Sequence, residues 1–284
     1  MSGAPQNVRL AGVQMVSGPQ VADNLAAATR LVAEAVAQGA GCVLLPEYFP
    51  IIGASDAARL AARESFGQGP VQDWLAATAS RHGIWLVAGS IPLMAARPDK
   101  MYNASLVFDP TGRCVARYDK IHLFGFDDGR EAYDEAASIE AGATPVALDT
   151  PFGRIGLSIC YDLRFPELYR ALGGLDLILL PAAFTETTGR AHWEILLRAR
   201  AIENQCYVLA AGQGGQHANG RRTYGHSMIV DPWGEVLDVK AHGPGVVLAE
   251  LDHARLAAVR RQLPALQHRK LGPPAVAPAA RGEP

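Results

Sequence analysis

Three reactive side chains stand just past apolar, strand-like runs: the thiol of Cys160, the carboxylate of Glu47 and the ammonium of Lys120. Cys160 closes Ile155-Gly156-Leu157-Ser158-Ile159 and precedes the polar run Tyr161-Asp162-Leu163-Arg164. In α/β folds ligands gather at the C-terminal ends of strands, so a thiol there can face a pocket; the competing reading is a buried strand cysteine. A thiol needs a proton acceptor to become a strong nucleophile. Glu47 follows Cys42-Val43-Leu44-Leu45-Pro46 and is enclosed by Tyr48, Phe49 and Pro50. A carboxylate in such company is either turned to solvent on a loop or held in a dry pocket, where burial suits it to proton transfer. Lys120 ends the run from Cys114 and precedes Ile121-His122-Leu123-Phe124. It is either an oxyanion donor or a solvated lysine paired with Asp119. His122 reads as structural.

The elements that must position these residues follow from hydrophobic periodicity and turn signals. Strands are expected over 8–15, 42–45, 84–89, 155–160, 177–180, 207–211 and 246–251, and helices over 21–38, 71–81, 166–172, 192–205 and 253–263. Antiparallel hairpins are expected across Asp109-Pro110-Thr111-Gly112 and Asp231-Pro232-Trp233-Gly234. Hairpins interleaved with β-α-β stretches predict an α/β fold with mixed rather than purely parallel sheets. Cys42, Cys114 and Cys206 read as core. One domain over 1–271 is expected, with a Pro-, Ala- and Gly-rich tail over 272–284.

Composition narrows the chemistry further. The 284 residues are 49% apolar and 19% charged, which supplies a core and argues against disorder. The 26 basic and 28 acidic residues leave a net charge of −2, so nothing electrostatic favours nucleic acid or an anionic membrane as a partner. No run approaches the ~18 apolar residues of a membrane span. Without a signal-like start, the four cysteines are expected to be reduced, in a cytoplasmic setting. No Cys-x-x-Cys or His-Glu-x-x-His supports a metal site. No nucleophile elbow or phosphate loop is present, and Gly212-Gln213-Gly214-Gly215 lacks the dinucleotide fingerprint, so no cofactor is expected.

With these residues in view, the chain resembles the nitrilase superfamily of carbon–nitrogen hydrolases. LLPEYF around Glu47, RYDKIHLF around Lys120 and GLSICYDLRFPEL around Cys160 carry the resemblance, which covers roughly residues 8 to 265. PAAFTETTGRAHWEILLRARAIENQCYVLAAGQ and YGHSMIVDPWG are similar to the Nit branch, and within it to the deaminated glutathione amidases. The resemblance implies a four-layer α-β-β-α sandwich, a homodimer or larger assembly, and hydrolysis of a small carboxylated amide through a thioester without a cofactor. Related activities on 2-oxoglutaramate (an ω-amidase) or on carbamoyl compounds stay open, as does a non-catalytic binding protein on this fold. It implies Glu47 as general base, Lys120 and the Tyr161 amide as oxyanion donors and Cys160 as nucleophile. A second carboxylate is implied after the lysine; Glu135 is the candidate, with Glu131 and Glu140 as alternatives, because Ala136 stands where the family has serine. Arg164 either grips a substrate carboxylate in a two-bond fork or pairs with Glu167. Thr187 and Thr188 offer hydroxyls to a substrate or cap a helix. Phe184 and Tyr48 line the pocket or serve packing.

Overall fold

The computed structural model describes residues 5–53, 55–127, 129 and 132–271. Glu131 and the expected tail over 272–284 lie outside the described residues.

Seven strands build the first sheet: β1 Val8–Gln14, β2 Cys42–Leu44, β3 Trp85–Val87, β4 Ile91–Met94, β5 Met101–Phe108, β6 Cys114–Asp119 and β17 Gly245–Leu251. Their order is β17-β1-β2-β3-β5-β4, with β6 paired to β5. The second sheet runs β16-β15-β12-β11-β10-β9, built from β9 Ala147–Thr150, β10 Gly153–Leu157, β11 Leu177–Ala182, β12 Tyr207–Gly212, β15 Ser227–Val230 and β16 Val236–Lys240. Two ribbons stand apart: β7 Gly125–Asp127 with β8 Ala132–Asp134, and β13 Gly214–Gln216 with β14 Arg222–Tyr224. The helices are α1 Val21–Ala37, α2 Asp56–Ala61, α3 Pro70–His82, α4 Pro166–Ala171, α5 Glu186–Asn204 and α6 His253–Gln262. Each sheet has a parallel centre (β1-β2-β3; β10-β11-β12) and antiparallel edges, the mixed pattern that hairpins among β-α-β units predict.

Alternation along the central strands explains the layers. Leu10, Cys42, Leu44 and Val87 share a core with Leu179 and Leu209 of the second sheet. Their neighbours Ala11, Val13, Val43 and Leu86 share another with Leu31, Val32 and Ala35 of α1 and Leu75 and Ala79 of α3. Trp193 and Leu197 of α5 cover the second sheet, completing an α-β-β-α sandwich. Backbone joins the two sheets just past β1: the Met15 amide donates to the Gly212 carbonyl of β12 at 3.4 Å.

Both expected hairpins form; Gly112 and Gly234 amides close the turns onto the Asp109 and Asp231 carbonyls at 2.8 and 2.9 Å. Three expectations are corrected. The strand before Cys160 stops at Leu157 rather than running to the cysteine, and Cys160–Arg164 is a 3-10 turn. Asp162 causes the break: its Oδ2 accepts the Ile159 amide at 2.8 Å and takes it out of the ladder. Helix α5 starts at Glu186, not at residue 192, with Thr185 as its N-cap. Gly189 looks like a turn residue but is helical; a Cβ there would lie 2.4 Å from Tyr224 Cβ, so the glycine admits β14 against the helix. Cys42 and Cys206 are fully buried, whereas Cys114 is half-buried.

The loops after β2 and β3 touch backbone to backbone. Gly89 has φ +59°, and a Cβ on it would lie 2.1 Å from the Pro46 carbonyl oxygen, next to Glu47. Gly89→Ala should therefore lower stability by about 2 kcal/mol or more, read as a lowered urea midpoint at unchanged m-value.

Candidate active site

The structure brings Glu47, Lys120, Glu135 and Cys160 together at one end of the sandwich. Glu47 leaves β2 and is 1% exposed. Its Oε1 accepts from Lys120 Nζ at 3.0 Å and Asn103 Nδ2 at 2.9 Å, and its Oε2 accepts from the Ala183 amide at 2.8 Å. Lys120, at the end of β6 and also 1% exposed, donates as well to Glu135 Oε2 at 2.7 Å. Glu135 opens a short 3-10 turn after β8 and accepts from the Phe124 amide at 2.8 Å and the Tyr48 hydroxyl at 3.0 Å. Among the described residues, two of the three N–H bonds of the Lys120 ammonium thus have acceptors. The Lys120–Asp119 pair that the sequence leaves open does not form; Asp119 binds Arg117 instead.

Each ionisation state has a physical cause. Burial alone disfavours the Lys120 ammonium, but Glu135 and Glu47 outweigh it and hold its pKa well above the ordinary lysine value. Burial also opposes ionisation of Glu135, yet Lys120, the Phe124 amide and the Tyr48 hydroxyl hold its carboxyl below the ordinary value. Burial pushes the Cys160 thiol well up, reinforced by Glu47 and opposed by Lys120. The resting sulfur is therefore a thiol. Cys160 itself has φ +51°, a left-handed backbone rarely adopted by a non-glycine residue and often found at functional sites. The Tyr161 amide, second in the turn, has no acceptor among the described residues.

A cavity of about 300 Å3, partly open to solvent, lies over these groups. Cys160, Glu47 and Glu135 reach its floor, while Phe124, Tyr161, Phe184 and Thr188 stand in its walls together with Arg164 and Arg221. Arg164 does not pair with Glu167; its Nη1 meets His192 Nδ1 at 3.2 Å, and its guanidinium lies 5.8 Å from the Tyr161 ring centroid and 5.5 Å from that of Phe184. Thr188 reaches the cavity, while Thr187 is exposed on the far side of the helix and Thr185 takes the cap. Tyr48 stands behind Glu135, its hydroxyl committed to that carboxylate. Glu140 is occupied elsewhere, by the Tyr102 hydroxyl at 2.7 Å. His122 is a brace: its Nδ1 meets Asp162 Oδ1 at 2.7 Å and its ring stacks on Phe165 at 3.7 Å.

Sequence reasoning missed Asn103, Thr185 and Arg221. Asn103 carried a signal, an amide side chain inside the apolar strand β5; its carbonyl also accepts the Lys120 amide at 2.9 Å. Arg221, in an exposed-looking Arg-Arg pair, carried none.

The model of the carbon-nitrogen hydrolase family matches residues 9–261. The chain belongs to the carbon–nitrogen hydrolase family. It is 44% identical over 266 residues to a deaminated glutathione amidase of Synechocystis, covering 91% of this chain and 97% of that one. To the human protein of the same name it is 41% identical over 266 residues, 90% of this chain and 80% of the other. Among solved structures, Saccharomyces cerevisiae Nit3, of branch 10 of the nitrilase superfamily, superposes with a TM-score of 0.85 at 30% identity, covering 94% of this chain and 97% of that one. The chain is an amidase of this superfamily, a hydrolase of carbon–nitrogen bonds. No helix among the described residues is long and apolar enough to cross a membrane.

Because the folded chain holds Glu135 more acidic than the unfolded chain does, unfolding at low pH takes up a proton there. Its contribution is complete above the ordinary glutamate value of about 4.3 and fades as pH falls below it. Between about pH 6 and about pH 3, Glu135→Gln should lose less urea stability than the wild type.

Proposed function

We propose that this amidase cleaves deaminated glutathione, releasing 2-oxoglutarate and cysteinylglycine. The names of the relatives support the substrate, and Arg164 carries the reading: a guanidinium in the cavity wall, over two aromatic rings and without a carboxylate partner among the described residues, suits the carboxylate of an α-keto acid.

Glu47 takes the proton of Cys160 and the sulfur attacks the amide carbonyl. This transfer moves charge without adding any: the carboxylate becomes neutral as the thiol becomes anionic, so the buried site is spared a further charge. The oxyanion is held by the remaining N–H of Lys120 and the amide of Tyr161. Glu47 then returns the proton to the leaving nitrogen, whose bond to the carbonyl carbon breaks to give the amine and a thioester. Glu47 next activates a water, which adds its oxygen to the thioester carbonyl; the sulfur leaves and recovers a proton. Glu135 keeps Lys120 charged and aimed. No metal or organic cofactor enters this sequence.

We infer a homodimer or larger assembly as well. Ile202, Trp233 and Leu263, 48%, 52% and 48% exposed, round one apolar hollow beside α5, which suits a second copy of the chain. Four unpaired cysteines fit a cytoplasmic location.

The decisive assay follows 2-oxoglutarate and cysteinylglycine by liquid chromatography, with deaminated glutathione and 2-oxoglutaramate in parallel. Turnover of the first with a higher kcat/KM is expected; equal, negligible turnover of both would sink the substrate assignment. Cys160→Ala should abolish hydrolysis, whereas Lys120→Met should cost on the order of a hundred- to a thousandfold in kcat. For the assembly, Trp233→Lys should shift the sedimentation coefficient toward that of a monomer.

A further inference from the structure

Arg221 reaches the cavity from the turn that joins β13 to β14. Its Nη2 donates to the Ala183 carbonyl at 2.8 Å, and its guanidinium lies 5.2 Å from the Tyr133 ring centroid. Its Nε is buried with no acceptor among the described residues. A buried donor left unmade costs free energy, and a native chain tolerates it where a ligand completes the bond. The arginines of α5 behave differently: Arg190, Arg198 and Arg200 each have a glutamate partner. Among the described residues neither cavity arginine has one, because Glu47 and Glu135 are committed to Lys120.

Charge balance narrows the ligand. The two floor carboxylates are offset in part by Lys120 behind them, and Arg164 and Arg221 in the walls tip the site as a whole to a net positive charge. A substrate with two carboxylates suits such a cavity.

Connectivity divides the two arginines between its ends. Ala183 binds Glu47 Oε2 through its amide and Arg221 through its carbonyl. Arg221 therefore stands on the Glu47 side, where the leaving nitrogen must collect its proton. Arg164 stands on the turn that bears the nucleophile. We propose that Arg221 is the specificity residue for the leaving group. It grips the terminal carboxylate of a departing dipeptide, while Arg164 grips the carboxylate of the acyl part. This deepens the deaminated glutathione reading and rests on it. In cysteinylglycine the carboxylate sits one residue past the amine-bearing carbon, ~3.8 Å from Cα to Cα, a reach that one arginine beside Glu47 can meet. Ammonia, the leaving group of 2-oxoglutaramate, offers Arg221 nothing to hold.

The test is a cycle of two enzymes and two substrates, measured by steady-state kinetics on the full chain. The substrates are deaminated glutathione and the same compound with its glycine carboxylate converted to a carboxamide. In the wild type the carboxamide should raise KM by about tenfold or more. In Arg221→Gln the acid substrate should show a similar rise, and the carboxamide should bring no further loss. Arg221→Lys, which keeps the charge but not the fork, should fall between. A wild type that treats acid and carboxamide alike overturns the assignment, whether or not the variants fold. So does an Arg221→Gln enzyme that still discriminates between them, or one that loses kcat equally on both, as mere support of Ala183 would require. A wild type idle toward both, yet active on 2-oxoglutaramate, overturns the deaminated glutathione reading itself and this assignment with it.

Discussion

One buried ammonium organises this molecule. Lys120 sits almost without solvent between the carboxylates of Glu47 and Glu135, 3.0 and 2.7 Å away, and the three come from three distant stretches of chain. Taking ions out of water costs several kcal/mol each in a real protein. That cost falls with each lone pair and proton that finds a partner, which is why Asn103, the Ala183 amide, the Phe124 amide and Tyr48 converge on the same few ångströms. The two sheets, the ribbon of β7 and β8 and the turn before α5 must all be in place before the site is electrically tolerable. Folding and assembly of the site are in this sense one event.

The same cluster sets the state of the sulfur. Two carboxylates around one ammonium already leave a negative balance, so a free thiolate beside them is unwelcome. The left-handed Cys160 nevertheless holds the sulfur at the floor of the cavity, with the Tyr161 amide beside it. The fold thus separates placement of the nucleophile, which is permanent, from its charging, which waits for a proton to move to Glu47.

Much of this was legible in the sequence, for stated reasons. Period-two and period-3.6 patterns located the central strands and, apart from the start of α5, the long helices within a few residues, because burial on both faces leaves unbroken apolar runs such as 177–180. Glu47, Lys120 and Cys160 stood out because each polar group directly follows such a run. Glu135 was reachable only through the family resemblance, since its own loop has no periodicity to anchor it. Contacts between remote segments stayed hidden. Nothing near Gly189 shows that Tyr224 packs there, and nothing near Arg221 shows that Ala183 will accept its proton. The local rule failed at Cys160 for a similar reason: Asp162 captures the Ile159 amide and ends the strand early.

The raised proton affinity of the Cys160 thiol ties its reactivity to the proton transfer itself. The thiolate, not the thiol, is the nucleophile, so a sulfur that keeps its proton until Glu47 takes it is activated only at the moment of transfer. Charge on the sulfur is then tied to a bound carbonyl compound that can accept it, and reactivity belongs to the occupied chamber rather than to the cysteine alone.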